Sequence, residues 1–278
     1  MQTTDEHERL EQDKRLKERM SMIKYKVIVI SGKGGVGKST VAVNLAYGLA
    51  VRGNKVGILD VDIHGPNIAK MLGIEGKRLV GSDSGIEPMK VLPNLKAISL
   101  ALLFENKDQP IIWRGPLKMI TIKQFLADVN WGELDYLIVD SPPGTGDEPL
   151  SVCQLIPDIN GAIVVTTPQD VAILDSRKSV VFAKELKMPV IGIIENMSGF
   201  MCPHCGKEID LFGTGGGEKS AHDLKVPFLG RIPIEPQIVK FGDSGRPYIH
   251  FQSQTQTADA MSQILVKIIK GLNERKKL

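Results

Sequence analysis

Three features of this 278-residue sequence predict an α/β fold built on a mostly parallel, doubly wound sheet. Short, near-continuous apolar runs alternate with longer helix-like runs, the pattern of strands covered on both faces. A glycine-rich stretch, Ser31–Thr40, lies directly between the first strand and the first body helix. Ser31, Asp60, Asp140, Thr166 and Asn196 stand at the carboxyl ends of apolar runs, where open parallel sheets bind their ligands.

The elements follow in order. Thr4–Met20 is highly charged, and Leu10, Leu16 and Met20 recur too loosely for a core-facing stripe. Residues 1–24 are therefore expected to form a solvated or partner-docking extension, and 25–278 a single domain. Lys26–Ile30 is the first strand, and Val41–Arg52 its helix, closed by Gly53. Lys55–Leu59 is the second strand and ends at Asp60. Pro66–Leu72 is a short helix stopped by Gly73. Residues 80–103 break into short apolar runs, consistent with a hairpin excursion. Pro116–Val129 is a helix with proline in its first turn. Leu134–Val139, Ala162–Thr166, Val190–Ile194 and Phe228–Ile232 are further strands, with the helix Val171–Leu186 between the second and third of these. Ala258–Leu272 is an amphipathic helix with Met261, Ile264, Leu265, Ile268, Ile269 and Leu272 on one face. That face suits packing on the sheet as well as a membrane surface, and packing is the favoured reading.

Composition narrows the function. Charged residues are 24% of the chain and the net charge is +3, a balance that makes no case for nucleic acid. Arg275-Lys276-Lys277 reads as a solvated terminus. No apolar run is long enough to cross a bilayer, and the first residues are charged rather than signal-like. Three cysteines without framework spacing imply a reducing compartment, so the expected location is cytoplasmic.

Gly32-Lys33-Gly34-Gly35-Val36-Gly37-Lys38-Ser39-Thr40 has the P-loop spacing. In such a loop, backbone amides and a helix N-terminus cradle phosphates. Glycines permit the close approach, Lys38 neutralises the β/γ-phosphates, and the Ser39 hydroxyl ligates Mg²⁺. Gly32-x-Gly34-x-x-Gly37 also fits a dinucleotide fingerprint, with Asp60 at a suitable distance. Two features favour the triphosphate reading: the Lys38-Ser39 pair, and the apolar strand Leu137-Ile138-Val139 ending in Asp140, a Walker B pattern that holds Mg²⁺.

Met201-Cys202-Pro203-His204-Cys205-Gly206 is the second chemical feature. It supplies two thiolates, where a closed metal site usually takes four. Cys153 lies in an apolar helix-like stretch and reads as a core thiol. Cys202 and Cys205 from two copies of the chain would complete a Cys₄ cage on a two-fold axis. Structural zinc suits that cage equally. A redox dithiol and a zinc site completed by His204 are weaker readings. Gly199, Pro203 and Gly206 suggest a surface loop.

These motifs resemble the deviant-Walker branch of P-loop ATPases, the MinD-like (SIMIBI) group that includes MinD, ParA, nitrogenase iron protein and the Mrp/ApbC iron–sulfur carriers. The resemblance covers Lys26 to about Gly271. Asn196-Met197-Ser198-Gly199-Phe200 followed by the cysteine pair looks like Mrp/ApbC specifically. It implies that Lys33 crosses a nucleotide-sandwich dimer and that Asp62, in switch I, orients the attacking water. Asp60 would be its partner in an Asp-x-Asp pattern, or a cap for the following turn. It also implies that the amide of Gly144, in switch II, meets the γ-phosphate, and that Asn196 reads the adenine edge of ATP. Cys202 and Cys205 would bind a bridging [4Fe–4S] cluster, delivered to apo iron–sulfur proteins and exchanged with cluster scaffold proteins. His64 stands where many relatives carry an aromatic residue. Two other functions share these motifs: an ATP-dependent positioning switch of the MinD/ParA type, acting on membrane or DNA, and a zinc-bridged structural ATPase dimer.

Overall fold

A computed structural model describes residues 2–62, 65–82, 85–103, 115–202 and 204–275. His64, Pro203, Lys276 and Lys277 lie outside the described residues. The strands are β1 (Ile23–Ile30), β2 (Val56–Asp60), β3 (Val80–Ser82), β4 (Gly85–Glu87), β5 (Met89–Leu92), β6 (Leu95–Ser99), β7 (Leu134–Asp140), β8 (Gly161–Thr166), β9 (Val190–Met201), β10 (Glu208–Ile209) and β11 (Phe228–Ile234). The helices are α1 (Gln2–Ser21), α2 (Lys38–Val51), α3 (Ile68–Met71), α4 (Gly115–Asp128), α5 (Asp147–Leu155), α6 (Asp170–Glu185), α7 (Gly216–Asp223), α8 (Pro236–Asp243), α9 (Tyr248–Phe251) and α10 (Gln256–Arg275).

Nine strands form the main sheet in the order β10-β9-β8-β1-β7-β2-β6-β5, with β11 also paired to β9. Pairing is parallel from β11 through β9, β8, β1, β7 and β2 to β6, and antiparallel at β10 and β5. β1 is therefore central, and the loop that follows it opens at the middle of the carboxyl edge. The register sets Asp60 beside Asp140, so two strand-end carboxylates share one crevice.

Each face of the sheet buries its own core. On one face, Val41, Leu45, Leu49 and neighbouring residues of α2 pack with Met261, Ile264, Leu265, Ile268 and Leu272 of α10. The apolar stripe of the last helix thus packs within the protein, as its spacing predicts. The other face gathers Ile122, Phe125 and Leu126 of α4, Val152 of α5 and Val180 of α6 against β1, β7 and β8. Two covered faces are the reason the central strands read as continuous apolar runs.

Three differences from the sequence reading have physical causes. The end of α1 is core rather than solvated: Met20 is fully buried and Leu16 nearly so. Arg19 donates to the Val129 carbonyl, and Arg15 and Asp13 pair with Asp128 and Lys123 of α4. Two buried side chains among those described on this mostly charged helix are too few to register as a stripe, yet they help seat it. Met20→Ala should cost about 2–5 kcal/mol, read as a lower midpoint in urea denaturation with an unchanged slope. An unchanged midpoint would show that α1 contributes little.

Second, residues 80–103 contain more than an excursion. β3 and β4 form a small separate hairpin, but β6 lies parallel beside β2 and extends the sheet. Third, β9 continues to Met201 instead of stopping near Ile194. Glu195 and Asn196 resemble the start of a turn because the partners of their side chains come from other segments of the chain.

Candidate functional site

Gly37 takes a left-handed conformation (φ 83°) immediately before α2, and Gly35 another (φ 78°). Side chains at Gly34 and Gly35 would meet open space, so the exposed bend has room for a ligand against its amides. The other two glycines are packed. A Cβ on Gly32 would strike the backbone of Asp175, and one on Gly37 the amide of Asn196. Glycine at 32 and 37 therefore holds the loop against α6 and β9, while Gly34 and Gly35 leave it open.

Lys38 is buried at the first position of α2. Its ammonium lies 2.7 Å from Asp140 Oδ1 and 3.4 Å from Asp62 Oδ2. Burial alone would favour neutral lysine, but the two carboxylates outweigh it and raise its pKa. Asp140 is itself fully buried, and burial pushes its pKa up against the opposing pull of Lys38 and of hydrogen bonds from Lys38 and Ser39. The second oxygen of each carboxylate, Asp62 Oδ1 and Asp140 Oδ2, is buried with no hydrogen-bond partner. Unsatisfied buried carboxylate oxygens are costly, and these two belong to the carboxylates that flank the Lys38 ammonium.

Asp60 has a different task. Its Oδ1 accepts from the Asp62 amide at 3.1 Å, while Oδ2 accepts from the Ile68 amide at 3.3 Å and from the Ser99 hydroxyl at 2.8 Å. It braces the start and end of the 61–67 connection, the capping role open to it in the sequence. Burial, helped by neighbouring Asp140, raises its pKa from 3.8 to about 8. The folded chain then keeps a proton that the unfolded chain has released between those values. Unfolding releases that proton, so stability of the nucleotide-free protein should fall as pH rises through this window. Thermal melts from pH 5 to pH 8 check this, and Asp60→Asn should flatten the decline.

The remaining residues expected at a nucleotide site converge on the same edge. The Gly144 amide donates to the Ser31 carbonyl at 2.7 Å, joining the loop after β7 to the end of β1. The Asn196 side chain donates to the Val36 carbonyl at 2.9 Å. Lys33 is half-buried, and no carboxylate among the described residues pairs with it. Val36 is buried, while Ser39 and Thr40 at the start of α2 are half-buried.

The cysteine pair sits at the tip of a hairpin made by β9 and β10. The Cys202 amide donates to Lys207 O and the Gly206 amide to Cys202 O, each at 2.9 Å, which closes the tip. Both thiols are free, Cys202 half-buried and Cys205 exposed. Amide hydrogen bonds from Cys205 and His204 lower the Cys202 pKa, favouring the thiolate that metals bind. Cys153 is the opposite case: burial raises its thiol to about 12, which suits a core role.

Glu195, which directly precedes the Asn196 motif, carries no role in the sequence reading. Its carboxylate is fully buried and accepts from the Gly215 amide at 2.9 Å, the Gly217 amide and the Ser198 hydroxyl. A charged residue inside an apolar strand was the available signal, because a buried carboxylate must find donors.

A strand-end glycine loop, a buried lysine at the helix start and aspartates on neighbouring strands define a P-loop nucleoside triphosphatase. The family model for ParA-type proteins, described as the NUBPL iron-transfer P-loop NTPase, matches residues 22–269. An iron–sulfur cluster carrier protein of Methanocaldococcus jannaschii is 50% identical over 266 residues, 96% of this chain and 91% of that protein. One from Saccharolobus solfataricus is 47% identical over 93% of this chain and 87% of its own length. Among solved structures, a nucleotide-binding protein of Archaeoglobus fulgidus in complex with ADP, with cobalt, is 42% identical with a TM-score of 0.75, covering 84% of this chain and 92% of that one. The cell-division ATPase MinD of Pyrococcus furiosus shares the fold at 22% identity and a TM-score of 0.65, over 89% of this chain and 99% of its own. The chain belongs to the NUBPL iron-transfer family of P-loop NTPases.

Proposed function

We propose that this protein binds and slowly hydrolyses ATP, assembles a [4Fe–4S] cluster between two copies of itself and transfers it to apo-proteins. The observation that carries the proposal is the path of β9. The strand bears Asn196, which holds the P-loop, and ends at Met201, directly before Cys202, which opens the thiol pair six residues after Asn196. At about 3.3 Å per residue the two lie at most ~20 Å apart along the chain. Membership of an iron-transfer family and the carrier names of relatives support the same reading.

The nucleotide chemistry follows from the site. Lys38 is held by Asp140 and Asp62, and an arriving triphosphate offers it a stronger partner. The two unpartnered carboxylate oxygens and the Ser39 hydroxyl form an oxygen donor set that suits Mg²⁺. Ser39 and Asp140 would hold that ion, which when bound neutralises phosphate charge. The amides at the open bend, Lys38 and the partner copy's equivalent of Lys33 stabilise the remainder. Asp62 orients water toward the γ-phosphorus; the new P–O bond forms as the β–γ bridge breaks, and ADP and phosphate leave. The Gly144 amide exchanges its Ser31 partner for the γ-phosphate, so the loop reports hydrolysis. Asn196 reads the adenine.

Cys202 and Cys205 supply two thiolates, and a second copy supplies the other two. Met201, Ile209, Leu211 and Phe212 flank the pair in sequence and are exposed, an apolar margin suited to burial between copies. The cluster is cargo, received from scaffold proteins and passed to apo iron–sulfur proteins in the reducing cytoplasm. Among the described residues no helix is long and apolar enough to cross a membrane, and the proposal includes no membrane or nucleic-acid partner. The test is transfer: cluster-loaded protein, mixed anaerobically with an apo-enzyme that needs a [4Fe–4S] cluster, should restore its activity, faster with ATP. Retention of the cluster under all nucleotide conditions would reduce the protein to a cluster store.

A further inference from the structure

We infer that Glu195 is the positioning residue that ties the cysteine hairpin to the nucleotide pocket. This rests on the reading that nucleotide and thiol sites communicate.

β9 does not run evenly from pocket to thiols. Its pairing with β11 passes from Asn196↔Ile232 to Phe200↔Ile234, so β9 uses four residues where β11 uses two. The extra residues are accommodated by left-handed conformations at Met197 (φ 56°) and Gly199 (φ 76°). A bulge of this kind bends and re-aims the strand beyond it, and what lies beyond is Cys202. Left-handed Met197 is strained unless its surroundings hold it.

Glu195 supplies that hold. It immediately precedes Asn196, whose side chain grips Val36 in the P-loop. The Glu195 carboxylate takes the hydroxyl of Ser198 from within the bulge. It also takes the amides of Gly215 and Gly217, where the chain returns from the thiol tip and enters α7. Arg231 of β11 closes the cage, with Nε 3.5 Å from Oε1. The strand that leads into the hairpin and the segment that leaves it for α7 are thus gathered on one carboxylate, next to the residue that touches the P-loop. A displacement of Asn196 by nucleotide would be carried into both together. Without the carboxylate the departing segment would be free to lag.

Glutamine keeps the shape of this side chain but has one acceptor oxygen. Either orientation of its amide sets an NH₂ against a backbone donor, Gly217 on one side or Gly215 on the other. The readout is the rate at which Cys202 and Cys205 react with a thiol reagent, with and without Mg²⁺ and a non-hydrolysable ATP analogue. In the wild type, nucleotide should change this rate by about fivefold or more. In Glu195→Gln the change should fall below about twofold, with affinity for the analogue kept within about twofold and both thiols still reactive. A structural role alone would alter folding or affinity without erasing the ratio. Should Glu195→Gln fail to fold, Gly217→Ala serves, because its Cβ would sit 3.0 Å from Glu195 Oε2 and crowd the carboxylate without altering its charge. A wild-type ratio retained in the folded variant overturns the assignment. A wild type insensitive to nucleotide overturns the communication reading itself, and the inference with it.

Discussion

Lys38→Met is expected to weaken ATP binding about 10- to 100-fold, the worth of a charge-assisted hydrogen bond, and to destabilise the nucleotide-free fold as well. The second effect is the less obvious one. Lys38 is the cation within bonding reach of Asp140, a carboxylate with no exposure, and of nearly buried Asp62. Removing one member of a buried pair costs about 3–5 kcal/mol, because the remaining charge is left without compensation. In a chain of this size that is roughly 10 °C in melting temperature. Neutralising the partner should recover much of the loss: Lys38→Met with Asp140→Asn should melt well above Lys38→Met alone. A double-mutant cycle by calorimetry measures this coupling. Additive effects of the two changes would mean that Asp140 does not depend on Lys38. Iron binding at the thiol pair should survive in both variants, since no cysteine is altered.

The second large effect is at the hairpin tip. Cys202→Ala or Cys205→Ala should each abolish the brown colour and iron binding of anaerobically reconstituted protein, from about four irons per dimer to a small residue. In the proposed shared cage, each removes two of the four ligands. ATP binding should persist, because the P-loop residues are untouched. Cys153→Ala is the control: with its thiol raised to about 12 and buried in the core, it should leave iron content unchanged. Stoichiometric iron in the double variant Cys202→Ala/Cys205→Ala would move the metal site elsewhere.

Much of this was legible from residue order. The β-branched runs read as strands because both faces of the sheet are covered, and the P-loop because its spacing encodes glycine backbone geometry directly. The cysteine pair was legible for the same local reason. Features that depend on distant partners were harder to read. α1 is seated by buried Leu16 and Met20 and by polar contacts of Asp13, Arg15 and Arg19, all made to α4 and its end more than a hundred residues away, and local periodicity carries no trace of that. β6 reads as part of an excursion because its parallel neighbour, β2, precedes it across a hairpin and a short helix. β9 looks finished at Glu195 because polar residues usually mark a turn, whereas here Glu195 and Asn196 are satisfied by α7 and the P-loop. The Asp60 brace was one of two roles its position allowed, and the choice depended on Ser99 and Ile68 lying within reach.

The measurement that bears most directly on the account is light scattering under argon on protein reconstituted with iron and sulfide, paired with metal analysis of the same peak. Two chains carrying about four irons and four sulfides, falling to single chains when Cys202 is replaced, are expected. A peak of one chain that still holds the full iron complement, or a two-chain peak containing zinc and no sulfide, would contradict this.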